Sequence, residues 1–222
     1  MKILKKESLA LGGFAGIKEH RLVVDKRIGG DGDTWDGLGN FVYLADAYYD
    51  PYGQSNMHSH SEIDIISVIV EGRVNHEGSL QHGESLVAKQ VQVQRAGGEG
   101  FSHNEINPDA QKNRMIQIWV LPEKSGEPAS YKLYDLAKGD LTQVYGGLEE
   151  ESKTLSSHTI LEVGILTAKE KISKTGEFML YVTQGSGKIN GSVVNDGDLT
   201  QGVDLELEAF SAGMQVIIVS RI

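Results

Sequence analysis

The chain has 222 residues, 39% of them hydrophobic and 23% charged. That is enough for one large domain or two small ones, with a core that needs no disulfide or structural metal. A formal net charge of −10 opposes nucleic-acid binding, and the lack of cysteine excludes disulfides, thiolate catalysis and cysteine-ligated zinc or iron–sulfur centres.

From the N-terminus, "KILKK" is the one basic run, and the "SLALGGFAGI" after it is too short and too broken by glycine for a signal peptide, so it is read as mature sequence. No apolar stretch approaches the roughly 18 residues that a membrane-spanning helix needs. The cytoplasm is therefore the expected compartment. Strand signals follow at "RLVV" (21–24), "NFVYLADAYY" (40–49), "IDIISVIVEG" (63–72), "SLVAKQVQVQRAG" (85–97) and "MIQIWVLP" (115–122). These segments are rich in β-branched and aromatic residues, and "VQVQ" alternates with period two. Turn signals separate them: "GGDGD", "DPYG", "NHEG", "AGGEG" and "NPD".

Residues 123–157 change character. "PEKSGEPAS" reads as a linker, and the mixed stretch after it predicts one or two short helices; "EEES" (149–152) reads as solvated. From His158 strands resume, and "VNDGD" (194–198) is a hairpin signal because Asn/Asp–Gly suits turns with positive φ. "SVIVEGRVNHEG" (67–78) and "LYVTQGSGKINGS" (180–192) form a faint repeat of strand, polar–Gly corner and second strand. The reading is an all-β chain of two tandem barrels or sandwiches: residues 1–122, a linker at 123–157, and residues 158–222.

The chemistry concentrates in "NMHSHSEID" and "FSHNEINPD". On a strand, residues i and i+2 share a face, so His58 projects with His60 and His103 with Glu105. If the two strands are neighbours, three imidazoles and a carboxylate converge. That donor set suits Fe, Ni, Mn or Zn and leaves coordination positions open. His20, His76, His82 and His158 lack such partners and read as surface or hydrogen-bonded histidines. "DGDTWDG" (31–37) lacks the Asp or Asn at position five and the Glu at position twelve that a calcium loop needs, and reads as a turn. "AGGEGF" leads into a strand, not a helix, so it cradles no phosphate.

The stretches "HSHSEIDIISVIVEGRVNHEGS" and "RAGGEGFSHNEINPDAQKNRMIQIWVLPEKSGEPASY" resemble the pirin family of bicupins. The resemblance covers residues 56–131 well and 158–222 more loosely. It is poor over 1–50, where "GIKEHRLVVDKRIGGDGDTWDGLGN" stands in place of an arginine-rich opening. It implies two cupin barrels, with His58, His60, His103 and Glu105 holding one divalent metal, iron first and nickel, manganese or zinc as alternatives. Asp64 stands where the family commonly has Glu; it either orients a ligand imidazole from behind or is a partnered carboxylate near the barrel mouth. The C-terminal barrel is expected to hold no metal, since Lys171 and Ser173 occupy the His-x-His positions and Lys171 should face solvent.

The family includes members similar to quercetin dioxygenases. The resemblance therefore implies a metal-dependent dioxygenase acting on a flavonol-like aromatic, with Glu105 as the ligand that also serves as base. Two alternatives stand beside it. One is a non-enzymatic metal- or redox-sensing module that binds a protein partner. The other is a different cupin chemistry on a small polar metabolite, which a pocket lined by charged groups rather than by side chains such as Met57, Phe101 and Trp119 would favour. Neither direct nucleic-acid contact nor a membrane is expected.

Overall fold

The computed structural model describes residues 1–148 and 153–222, so "EEES" lies outside the described residues. Strands succeed one another as β1 (Lys2–Lys5), β2 (Gly12–Phe14), β3 (Ile17–Val24), β4 (Phe41–Tyr49), β5 (His58–His60), β6 (Asp64–Glu71), β7 (Arg73–Gly78), β8 (Glu84–Val87), β9 (Gln90–Arg95), β10 (Phe101–Ile106), β11 (Arg114–Val120) and β12 (Ser130–Asp135). They continue as β13 (Asp140–Gly147), β14 (Ser157–Leu166), β15 (Lys171–Gln184), β16 (Ser186–Ile189), β17 (Ser192–Asn195), β18 (Asp198–Ala209) and β19 (Met214–Arg221). Among the described residues the helical content is two single 3₁₀ turns, Lys6–Ser8 and Lys26–Ile28. None is a helix long and apolar enough to cross a membrane.

The all-β expectation holds, but the short helices expected in the linker are absent among the described residues of 123–157. That stretch instead supplies β12, paired with β9, and β13, paired with β14. Tertiary pairing overrides the mixed local pattern there. Two compact units result: Ala10–Asp135, and Met1–Leu9 together with Leu136–Ile222. The first nine residues fall in the second unit because β1 pairs antiparallel with β18, Lys2 opposite Gln201.

The first unit packs a seven-stranded sheet, β12–β9–β6–β11–β4–β3–β2, with a four-stranded sheet, β5–β10–β7–β8. Ile17, Tyr49, Ile69, Val74, Leu86 and Met115 form its core. The predicted strand 85–97 is broken into β8 and β9, with Lys89 at φ +73 in the turn between them. Gly72, at φ +69, turns β6 out of the large sheet so that β7 joins the small one.

In the second unit, Gly185 at φ +81 sits at the same place between β15 and β16, and each corner is followed by a hairpin, β7–β8 and β16–β17. The faint repeat thus corresponds to a repeated structural unit. The hairpin turn itself is Asn190–Gly191, both at positive φ as a two-residue turn of this kind needs. The "VNDGD" signal is a corner and not a hairpin: β17 and β18 do not pair, and the N–H groups of Asp196 and Gly197 donate to the carbonyls of Gly185 and Val182 instead. The interior of this unit is filled by Phe178, Leu180, Val182, Leu205, Met214 and Ile218. Lys171 is exposed and lies 3.6 Å from Glu208, as expected of a solvent-facing lysine.

Candidate metal centre and pocket

The small sheet is the platform. β10 lies between β5 and β7, with His103 opposite His58, Phe101 opposite His60, and Glu105 opposite His76. Alternation then puts His58, His60, His103, Glu105 and His76 on one face. The condition set by the sequence, that the His-x-His and His-x-Glu segments be neighbours, is met.

The three imidazoles meet edge on. His103 Nε2 lies 3.1 Å from His58 Nε2 and 3.1 Å from His60 Nε2, and one ligand nitrogen from each of the three lies within 4.8 Å of the others. His58 Nδ1 donates to the Asn56 carbonyl at 2.9 Å, since a carbonyl can only accept, so in the neutral ring Nε2 carries the lone pair. Burial, reinforced by the neighbouring imidazoles, pushes His60 down to about 4 and His103 down to about 3. Both are neutral at pH 7 and able to donate to a metal. Each of these nitrogens can offer a lone pair to a cation placed among them. The set fits a divalent metal ion.

Glu105 is buried in the same pocket, with its carboxylate outside this group of three. It accepts from the Tyr49 hydroxyl at 2.8 Å and from Ser67 Oγ at 3.3 Å. Its own N–H donates to Ser55 Oγ at 3.0 Å, which ties β10 to the segment leading into β5. Burial and the Glu105 charge raise Tyr49 well above the ordinary phenol range, so it remains a donor. Asp64 is fully buried and meets Arg95, 2.9 Å from Oδ2 to Nη2, with Glu127 on the other guanidinium nitrogen at 3.0 Å. Of the two readings of Asp64, the geometry matches the partnered carboxylate.

The histidines open onto a small pocket, about 50 Å³, between the two sheets of this unit. Its wall mixes aromatic with charged and polar groups: Tyr43 stacks on Trp119 at 4.4 Å, Phe14 stands half-exposed at the opening, and Glu19, Glu105 and Gln117 also line it. Of the three apolar candidates, Trp119 lines the pocket. Phe101 packs behind the imidazoles, 5.1 Å from His103 and 5.4 Å from His60, and Met57 is exposed outside it.

Sequence reasoning missed two participants. Glu19 lines the pocket, accepts from the Tyr43 hydroxyl at 3.1 Å and pairs with Arg21 at 2.6 Å. It was missed because the strand was started at Arg21, whereas β3 begins at Ile17 and "IKEHR" alternates inward. His76, completely buried, accepts His103 Nδ1–H at 3.3 Å. No local signal marked it, because its place beside His103 is set by the β7–β10 register.

A pirin family model matches residues 34–120. That match spans the strands bearing all three histidines. A pirin-like protein of Caulobacter vibrioides is 28% identical over 153 residues, which cover 64% of this chain and 65% of that protein. A quercetin 2,3-dioxygenase of Escherichia coli K12 is 25% identical over 150 residues, 64% of each chain. The chain thus matches somewhat less than two thirds of the length of these curated relatives. The bacterial pirin YhhW of Escherichia coli, solved with nickel(II), superposes with a TM-score of 0.83 at 19% identity, covering 99% of this chain and 98% of that one. At that identity the likeness speaks for the fold, which extends well beyond the matched pirin domain.

Proposed function

We propose that this protein is a cytoplasmic metal-dependent dioxygenase that opens the heterocycle of quercetin or a similar flavonol, with His58, His60, His103 and Glu105 as metal ligands. The observation that carries the reading is the convergence of three imidazoles at the wall of a pocket that also presents Tyr43 and Trp119. The quercetin dioxygenase name of the Escherichia coli relative supports the reaction class. The nickel complex of YhhW supports a first-row divalent ion. Iron is our first choice and nickel, manganese or zinc remain compatible with imidazole and carboxylate donors.

A divalent ion held there would lower the pKa of a substrate hydroxyl and polarise the adjoining carbonyl. The chain's own groups do the rest. Glu105 is the base that takes the hydroxyl proton, and the Tyr49 and Ser67 hydroxyls hold its carboxylate in place. The stacked Tyr43 and Trp119 offer a flat face to an aromatic ring. Glu19, fixed by Arg21 and Tyr43, adds an acceptor for a further phenolic hydroxyl. The Tyr43–Trp119 stack favours a flavonol over a small polar metabolite.

The test is metal content of tag-free wild type and His58→Ala, measured beside oxygen uptake with quercetin. About one metal per chain in wild type, lost in His58→Ala, with uptake following the metal, is the expected result. Metal-loaded Glu105→Gln should lose about a hundredfold or more in turnover. Normal turnover in that variant removes Glu105 as base. Metal without uptake moves the function to a metal-sensing module with a protein partner, and wild type that takes up no metal on reconstitution removes the centre.

A further inference from the structure

His76 stands behind the histidine cluster with no surface exposure. Its Nδ1 lies 2.7 Å from the Gln81 carbonyl, which can only accept, so the proton is on Nδ1 and Nε2 carries the lone pair. Two donors point at that lone pair. One is the amide nitrogen of buried Gln94 at 3.2 Å, whose own oxygen takes an N–H from Gln92 at 2.9 Å. The other is His103 Nδ1 at 3.3 Å. His103 must then hold its proton on Nδ1, and its Nε2 lone pair faces His58 and His60 at 3.1 Å each.

The direction of every hydrogen bond in this relay follows from the backbone carbonyl at its end. His58 is fixed by a backbone carbonyl directly; His103 reaches one through a second imidazole. The relay also sets angle. β7 pairs with β10, and the absence of a side chain at Gly78, opposite His103, lets the two strands lie flat against one another.

We propose that His76 is a positioning residue for the metal centre: it holds His103 as the Nδ1–H tautomer and aims its Nε2 at the metal. The proposal rests on the metal-centre reading above. A ligand imidazole with the proton on the wrong nitrogen cannot donate, and partners behind a ligand commonly contribute about 10- to 100-fold in metal affinity.

The test uses the full chain stripped of metal and titrated with Co²⁺ alone, following calorimetry and the visible d–d spectrum, in wild type, His76→Phe and His76→Gln. Phe fills the space and accepts nothing, whereas the Gln side-chain oxygen accepts from His103. His76→Phe should lose about 10- to 100-fold in Co²⁺ affinity with an altered spectrum, and His76→Gln should recover affinity to within a few-fold. Nitrogen-15 long-range correlation spectra of the metal-free wild type should show His103 with its proton on Nδ1, a readout that needs neither metal nor activity. Equal Co²⁺ affinity and spectrum in all three proteins overturns the proposal, as does a wild-type His103 protonated on Nε2. Wild type that binds no Co²⁺ overturns the metal centre itself, and the tautomer spectrum still decides whether His76 orients His103.

Discussion

Asp64 shows how a single residue's role is decided by what it touches. It sits four residues after His60 and is fully buried, so a carboxylate supporting an imidazole was a reasonable expectation. Its oxygens instead take two of the three Arg95 guanidinium nitrogens, and the third goes to Glu127. Burying an ion pair contributes little net stability, but removing one partner leaves a buried charge uncompensated. Asp64→Ala should therefore destabilise the protein by about 3 kcal/mol in urea unfolding. Metal content per folded chain should stay at the wild-type value. Loss of metal at unchanged stability would return Asp64 to the role of supporting the centre.

At the scale of elements, the centre depends on how closely β7 and β10 approach. A Cβ at Gly78 would lie 2.4 Å from the Ser102 carbonyl oxygen and 3.0 Å from His103 Cβ, so the strands would have to part. Overpacking of this kind costs about 1–3 kcal/mol. Gly78→Ala should fold with a lowered thermal midpoint and lose metal affinity about tenfold, because His103 moves relative to β5. Wild-type metal content in that variant would mean the sheet yields elsewhere.

The same sheet shows what the sequence could reveal. The convergence of His58, His60 and His103, with Glu105 on the same face, was legible because spacing of two on a strand is a local property, and the family motifs surround them. His76 and Glu19 were not, since their roles come from cross-strand neighbours, Glu105 and Ala47, that only the register supplies. The split of 85–97 into two strands was hidden because Lys89 adopts a positive φ without the glycine that normally advertises it.

For the molecule as a whole, local patterns identified an all-β chain and the repeated corner–hairpin unit, but not which strands partner across nearly the full length of the chain. β1 on β18 is the clearest case: nothing in "KILK" names Leu199 or Thr200 as neighbours. Stability of the first unit depends on a similarly hidden tie. Asp25 precedes the Lys26–Ile28 turn, accepts the backbone N–H groups of Arg27 and Gly37 at 2.9 and 3.0 Å, and takes the Arg27 guanidinium at 2.8 Å on both oxygens. It thus closes the loop that joins β3 to β4.

The Arg27 hydrogen bonds, against the opposing cost of burial, hold the Asp25 carboxyl well below its ordinary value. The folded state therefore releases this proton more readily than the unfolded chain does. Above about pH 5 the group is ionised in both states and its contribution is fully present. As pH falls below about 4, the unfolded chain takes up the proton first, and the contribution declines towards the folded-state pKa. Asp25→Asn should lower stability at pH 7, with the gap between the two proteins closing as unfolding is repeated at successively lower pH. An Asp25→Asn protein whose deficit is the same at pH 7 and pH 3 would mean that Asp25 acts through its backbone-capping geometry alone and not through its charge.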